Sequence, residues 1–241
     1  MSRYFIEFSK QGYIKYISHL DLQRLFKRSF RRVGIPIDYS EGYNPHPKMG
    51  FVQPLSLGYT TSQDYLEFHT KEPIRVDIMR SDLRDVMPQG IDIINIKELD
   101  IKPKSLASCV VAAVYEISLP MNYRSRSEDV EKLVNKYMSQ DGILAEKREK
   151  KTKKMVEVDI KNKIQSISVD KNIDGNIVLI MKLDAGSNSN LSPEQVITSF
   201  TKFSQLYLPR EDIEVERKYL IFDPCIPQTL GLHLQKPKKE E

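Results

Sequence analysis

The sequence predicts a mixed α+β protein made of two halves that share one order of elements. Three observations carry this. Short alternating runs rich in β-branched and aromatic residues recur along the chain. Each half holds two segments with apolar residues at helical spacing. A weakly periodic, Pro-containing stretch over residues 99–108 separates the halves.

In the first half, residues 3–8 (RYFIEF) alternate as a strand and 10–12 turn. Residues 13–17 form a short aromatic and β-branched run. Ser18 reads as an N-cap with Asp21 three residues on, and Leu22, Leu25, Phe26, Phe30 and Val33 follow with helical period. Gly34 and Pro36 end that helix. Strands are predicted over 37–39, 51–58 and 65–69, with a loop over 40–48. Val76, Met79, Leu83 and Val86 mark a second helix, ended by Pro88, and 91–96 is the closing strand.

The second half repeats the order. A strand over 110–119 precedes a helix over 127–138. Strands follow over 155–160, extended by 164–169, and over 177–183. Ser192-Pro193 opens a helix with Pro at its first position, and 213–222 is the last strand. The order is that of a split βαβ unit, so the fold expected is two tandem ferredoxin-like (βαββαβ) halves with antiparallel sheets. The expected domains are 1–104 and 105–223, with a tail over 224–241. No self-similarity at the level of residues accompanies the repeated order.

The chain has 241 residues, 40% hydrophobic and 29% charged, a balance that supports a core. Its net charge of +4 is only mildly basic and does not itself name a partner. No apolar run approaches the roughly 18 residues of a membrane span, and the N-terminus enters a strand pattern directly. A cytoplasmic protein without a membrane partner is expected. Cys109 and Cys225 stand far apart and outside any metal spacing, which leaves no disulfide framework and no zinc or iron–sulfur motif. No cofactor is expected.

Charge is distributed unevenly. Residues 1–50 hold nine Lys/Arg against four Asp/Glu, and residues 146–163 hold eight against four. On the first helix, Arg24, Lys27, Arg28 and Arg31 fall at i, i+3, i+4 and i+7, flanked by Arg32. Like charges at that spacing repel by a few tenths of a kcal/mol per pair. Such a stripe suits an anionic ligand or an acidic protein surface; a solvated face is the plain alternative. In residues 146–163, Lys150, Lys151 and Lys153 stand at a basic hairpin tip that could clamp a phosphate backbone.

Residues 39–51 (YSEGYNPHPKMGF) are the most unusual segment. Pro45 and Pro47 fix their own φ and restrict Asn44 and His46, so His46 sits between two locked positions. Stiffness of that kind suits a preorganised site. Tyr39 and Tyr43 could stack on bases and Lys48 could meet a phosphate, with Glu41 and Asn44 beside them. His19, at the start of the basic helix, could approach His46, and the pair could serve as general acid and base. With Asp21 and Glu41 they could also ligate a metal, but Asp21 already belongs to the cap and no spacing marks a metal site. His69 and His233 have no supporting neighbours in sequence.

Residues 16–22 (YISHLDL), the Arg-rich helix and residues 39–48 (YSEGYNPHPK) closely resemble the radical SAM-linked protein family, also described as a domain of unknown function. The resemblance covers essentially the whole chain. Family members are similar to stand-alone proteins or to C-terminal extensions of cobalamin-binding radical SAM enzymes. The resemblance therefore implies a partner role beside such an enzyme. The chain lacks the C-x-x-x-C-x-x-C motif of those enzymes, so radical chemistry would lie on another polypeptide. Three functions are weighed: a non-catalytic module binding RNA or another substrate, a metal-independent RNA-processing enzyme using His19 or His46, and a protein–protein adaptor. Binding ranks above catalysis.

Overall fold

The computed structural model describes residues 2–99, 105–120, 127–149, 152–171, 177–205 and 208–235. Two compact units divide the chain. One comprises residues 1–111 together with 217–241, and the other residues 112–216.

The first unit contains β1 (Ser2–Lys10), α1 (His19–Arg32), β2 (Met49–Phe51), β3 (Thr60–Thr70), α2 (Val76–Val86) and β4 (Ile91–Glu98). β1 pairs antiparallel with β3 and with β4, and β2 pairs antiparallel with β3. The strand order runs β4-β1-β3, and β2 pairs with β3 off that path. One face of this sheet is apolar because alternate residues point the same way. Tyr4, Ile6 and Phe8 of β1 join Leu66 and Phe68 of β3 in the core with Leu22, Phe26 and Phe30 of α1. The Phe8 and Phe26 rings meet edge to face at 5.1 Å.

α1 starts where the sequence places it. Ser18 Oγ accepts from the Asp21 N–H at 3.1 Å and donates to Asp21 Oδ2 at 2.7 Å. That exchange satisfies one of the helix's orphan donors, an effect of about 1 kcal/mol.

Within the aromatic run over 13–17, Gly12–Tyr16 forms a 3-10 turn. Two expectations in this unit are corrected. Residues 37–39 make only isolated bridges, Ile37 to Thr70 and Tyr39 to Pro47. The strand expected over 51–58 stops at Phe51. The Gln53 and Pro54 carbonyls turn away from any ladder to accept from the Arg217 guanidinium, at 2.7 and 3.2 Å.

The second unit contains most of β5 (Val110–Leu119), α3 (Ser127–Met138), β6 (Leu144–Arg148), β7 (Met155–Asp159), β8 (Ile164–Lys171), β9 (Ile177–Asp184) and α4 (Pro193–Ser204). β9 lies between β5 and β8, antiparallel to both. Val130, Val134 and Tyr137 of α3 are buried, and Tyr137 meets Phe200 of α4 edge to face at 5.3 Å.

β7 does not run on into β8. Asp159 accepts from the Ile143 and Lys161 N–H groups at 3.0 and 2.9 Å, which turns the chain through Lys161–Lys163. β7 therefore pairs with β6 in a separate two-stranded sheet. The last strand, β10 (Glu214–Phe222), starts in the second unit, and from Arg217 onward the chain belongs to the first. The fold is thus mixed α+β, with antiparallel pairing and four α-helices among the described residues.

Candidate functional site

α1 has opposite faces of opposite character. Arg24, Arg28, Arg31 and Arg32 are exposed and Lys27 is half-buried. Arg24 pairs with Asp21 at 2.9 Å within the helix. Together with the Ser18 hydroxyl, that guanidinium holds the Asp21 carboxyl below its ordinary range, Ser18 contributing most. Among the described residues, Lys27, Arg28, Arg31 and Arg32 form no ion pair. Arg31 and Arg32 lie in the last turn, where the helix dipole favours cations. The stripe is therefore locally tolerated but not neutralised.

The Pro-rich loop is closed at its base. Ser40 N–H donates to the His46 carbonyl at 2.8 Å, and His46 N–H donates to Ser40 Oγ at 2.9 Å. Lys48 N–H donates to the Asp38 carbonyl at 2.8 Å, and Lys48 Nζ reaches Asp38 Oδ2 at 2.7 Å. That ammonium keeps the Asp38 carboxyl acidic. Residues 41–46 are exposed, and the Tyr43 ring stands wholly in solvent. Tyr39 packs on the core.

Of the two histidines read as a pair, His46 is exposed in this loop. His19 rests edge-on against the Phe51 ring at 5.3 Å, and Phe51 in turn meets Phe8 and Phe26 in the core. Among the described residues no carboxylate hydrogen-bonds either imidazole. No cluster able to hold a metal ion occurs among the described residues. Cys109 and Cys225 are both free thiols.

A cleft of about 260 Å3 opens beside β2. Lys48, Gly50 and Val52 line it from β2 and the residues flanking it, Glu67 and His69 from β3, and Ser105 and Ala107 from a wall beyond. Met49 and Phe51 alternate with these residues and pack against the core beneath α1. The cleft therefore lies on the face of the sheet turned away from α1. Only Lys48 among the residues expected at a site reaches it. Arg24, Lys27, Arg28, Arg31, Tyr39, Glu41, Tyr43 and Asn44 do not line it.

His69 is the residue that sequence reasoning passed over. Its neighbours in space are distant in the chain. Glu67 Oε1 accepts from Arg3 Nη2 and Nε at 2.6 and 3.1 Å, and Oε2 accepts from the Leu106 N–H at 2.7 Å. His69 Nε2 lies 3.7 Å from Glu67 Oε1, beyond hydrogen-bond reach, and Nδ1 is enclosed without a partner. Burial lowers the imidazole pKa; Arg3 and Lys48 add to this, while Glu67 and Asp38 oppose it. Two signals in the sequence pointed here: Glu67 and His69 alternate onto one face, and Gly50 leaves a strand position bare.

In the second unit, β6 and β7 form the basic hairpin with Lys153 at a positive φ of 61°. Glu149 N–H donates to the Lys154 carbonyl at 2.8 Å across its base. Lys153 is exposed. Lys150 and Lys151 lie outside the described residues. No described helix is long and apolar enough to cross a membrane.

An α+β protein with mostly antiparallel pairing, a cationic helix face that is only partly paired and a separate polar cleft is thus defined. The chain belongs to a family described as an uncharacterized protein conserved in bacteria (DUF2344), whose model matches residues 3–193. No curated protein matches it. Among solved structures, it is similar to the crystal structure of an unknown protein from Galdieria sulphuraria. Identity is 8%, coverage is 90% of this chain and 98% of that one, and the TM-score is 0.24, so no conclusion rests on it.

Proposed function

We propose that this protein is a non-catalytic binding module that holds RNA, or an RNA-containing substrate, beside a radical SAM enzyme. One observation carries the RNA half of the reading. Lys27, Arg28, Arg31 and Arg32 stand on one helix without a carboxylate partner among the described residues. Self-repulsion of that kind is relieved when polyanion phosphates replace small counterions. The exposed Tyr13, Tyr16 and Tyr43 rings, on the elements flanking α1, offer stacking surfaces that tolerate any base. The enzyme partner follows from the motif resemblance alone. The β4-β1-β3 order, with β2 also paired to β3, supports a ferredoxin-like first half, and β5-β9-β8 supports the same reading of the second.

Fluorescence anisotropy with labelled single-stranded and structured RNA tests the reading. Wild type should bind with affinity that falls steeply in salt. R28E/R31E should bind roughly 10–100-fold more weakly and with a shallower salt slope. Binding that ignores salt, or a variant that binds like wild type, overturns it.

A further inference from the structure

The cleft beside β2 lies across the sheet from the basic helix and plays no part in the reading above. Its floor is open for a specific reason. Gly50 sits in a strand without a positive φ, and a Cβ built there meets nothing within 4 Å. Neither strain nor crowding requires glycine at this position. What the missing side chain supplies is space above Glu67 and His69.

The polar groups around that space are unevenly satisfied. Glu67 is occupied at both oxygens, by Arg3 and by the Leu106 N–H, so its charge is compensated within the protein. Lys48 spends one of its three protons on Asp38 and is one-third exposed toward solvent. His69 makes no side-chain hydrogen bond among the described residues and is a quarter exposed. Val52, Ala107, Met49 and Phe51 complete the walls. Donors without acceptors at one side and carbon surface at the other match a ligand with an acceptor group on an apolar body.

We propose that this cleft binds a small organic anion, its phosphate or carboxylate group held by Lys48 Nζ and His69 Nε2–H and its apolar body lying over Gly50. A bound anion favours the imidazolium form of His69, so binding takes up a proton. The groups facing that imidazole are Glu67, Arg3, Lys48 and Asp38. Lys48 keeps the Asp38 carboxyl acidic, and the proton taken up on binding is assigned to His69.

The test uses the full chain and phenyl phosphate as probe, followed by proton NMR of the imidazole Cε1–H signals. The chain has four histidines, and H69Q assigns the relevant signal. Phenyl phosphate should shift the His69 signal saturably, and more tightly at about pH 6 than at about pH 8. G50V should melt like wild type and lose about tenfold or more in affinity, because its side chain occupies the ligand's place. K48M should also weaken binding, and it serves should G50V fold poorly. Inorganic phosphate binding as tightly as phenyl phosphate overturns the apolar half of the proposal. Absence of a saturable shift, or unchanged affinity in both variants, overturns all of it. RNA affinity of G50V should equal that of wild type, so failure here is distinct from failure of the RNA reading.

Discussion

Arg217 Nη2 donates to Asp64 Oδ2 at 2.5 Å, and the two side chains are 1% and 3% exposed. The same guanidinium donates to the Gln53 and Pro54 carbonyls. Lys10 is buried nearby, and its charge acts on both members of the pair. Burial raises the Asp64 pKa, while Arg217, the Tyr65 N–H and Lys10 pull it down. A buried pair of this kind adds little over an apolar substitute, but breaking it is costly.

R217M should therefore destabilise the first unit by about 3–5 kcal/mol, because it leaves a buried carboxylate and two carbonyls unsatisfied. Urea unfolding measures this. The double variant D64L/R217M should cost less than the sum of the two single changes. Additive costs would show that the pair is not coupled.

Lys10 makes stability depend on pH. Burial lowers its pKa to about 8 from the ordinary 10.5, with Asp64 opposing and Arg217 assisting. Between those values the unfolded chain holds a proton that the folded one has released, so stability rises with pH across this window. Relative to K10M, wild type should gain stability as pH rises from about 8 to 10.5. Denaturation at several pH values checks it, and parallel curves for the two proteins would refute it.

Gly90 is fixed by its surroundings. Its φ is +94°, and a Cβ there would lie 2.5 Å from the Gln11 carbonyl oxygen and 2.9 Å from Ile14 Cγ2. G90A should cost about 2–4 kcal/mol, combining backbone strain with a displaced turn. Gly58 has φ +83° but open space around its Cβ position. G58A should cost only about 1–2 kcal/mol. Thermal melts of both variants separate conformation from crowding, and equal losses would contradict the distinction.

What was legible in the sequence was local. The apolar period of α1 and its Ser18 cap are written within a few residues, as is the cationic face. The stiffness of the Pro-rich loop follows from prolines that act on their neighbours. What was not legible depends on partners far along the chain. β2 ends at Phe51 because Arg217 takes the next carbonyls, and nothing near Gln53 announces it. His69 looked isolated because Lys48, Arg3 and Ser105 reach its vicinity only after folding. His19 and His46 looked like partners because the sequence does not reveal that Phe51 claims the first and solvent the second.

Because the guanidinium that neutralises Asp64 arrives with β10, the N-terminal unit cannot finish folding as it leaves the ribosome. Until residue 217 emerges, Asp64 and Lys10 in the nascent polypeptide lack the guanidinium that the folded interior sets beside them. Synthesis of the intervening unit thus precedes closure of the one that begins the chain.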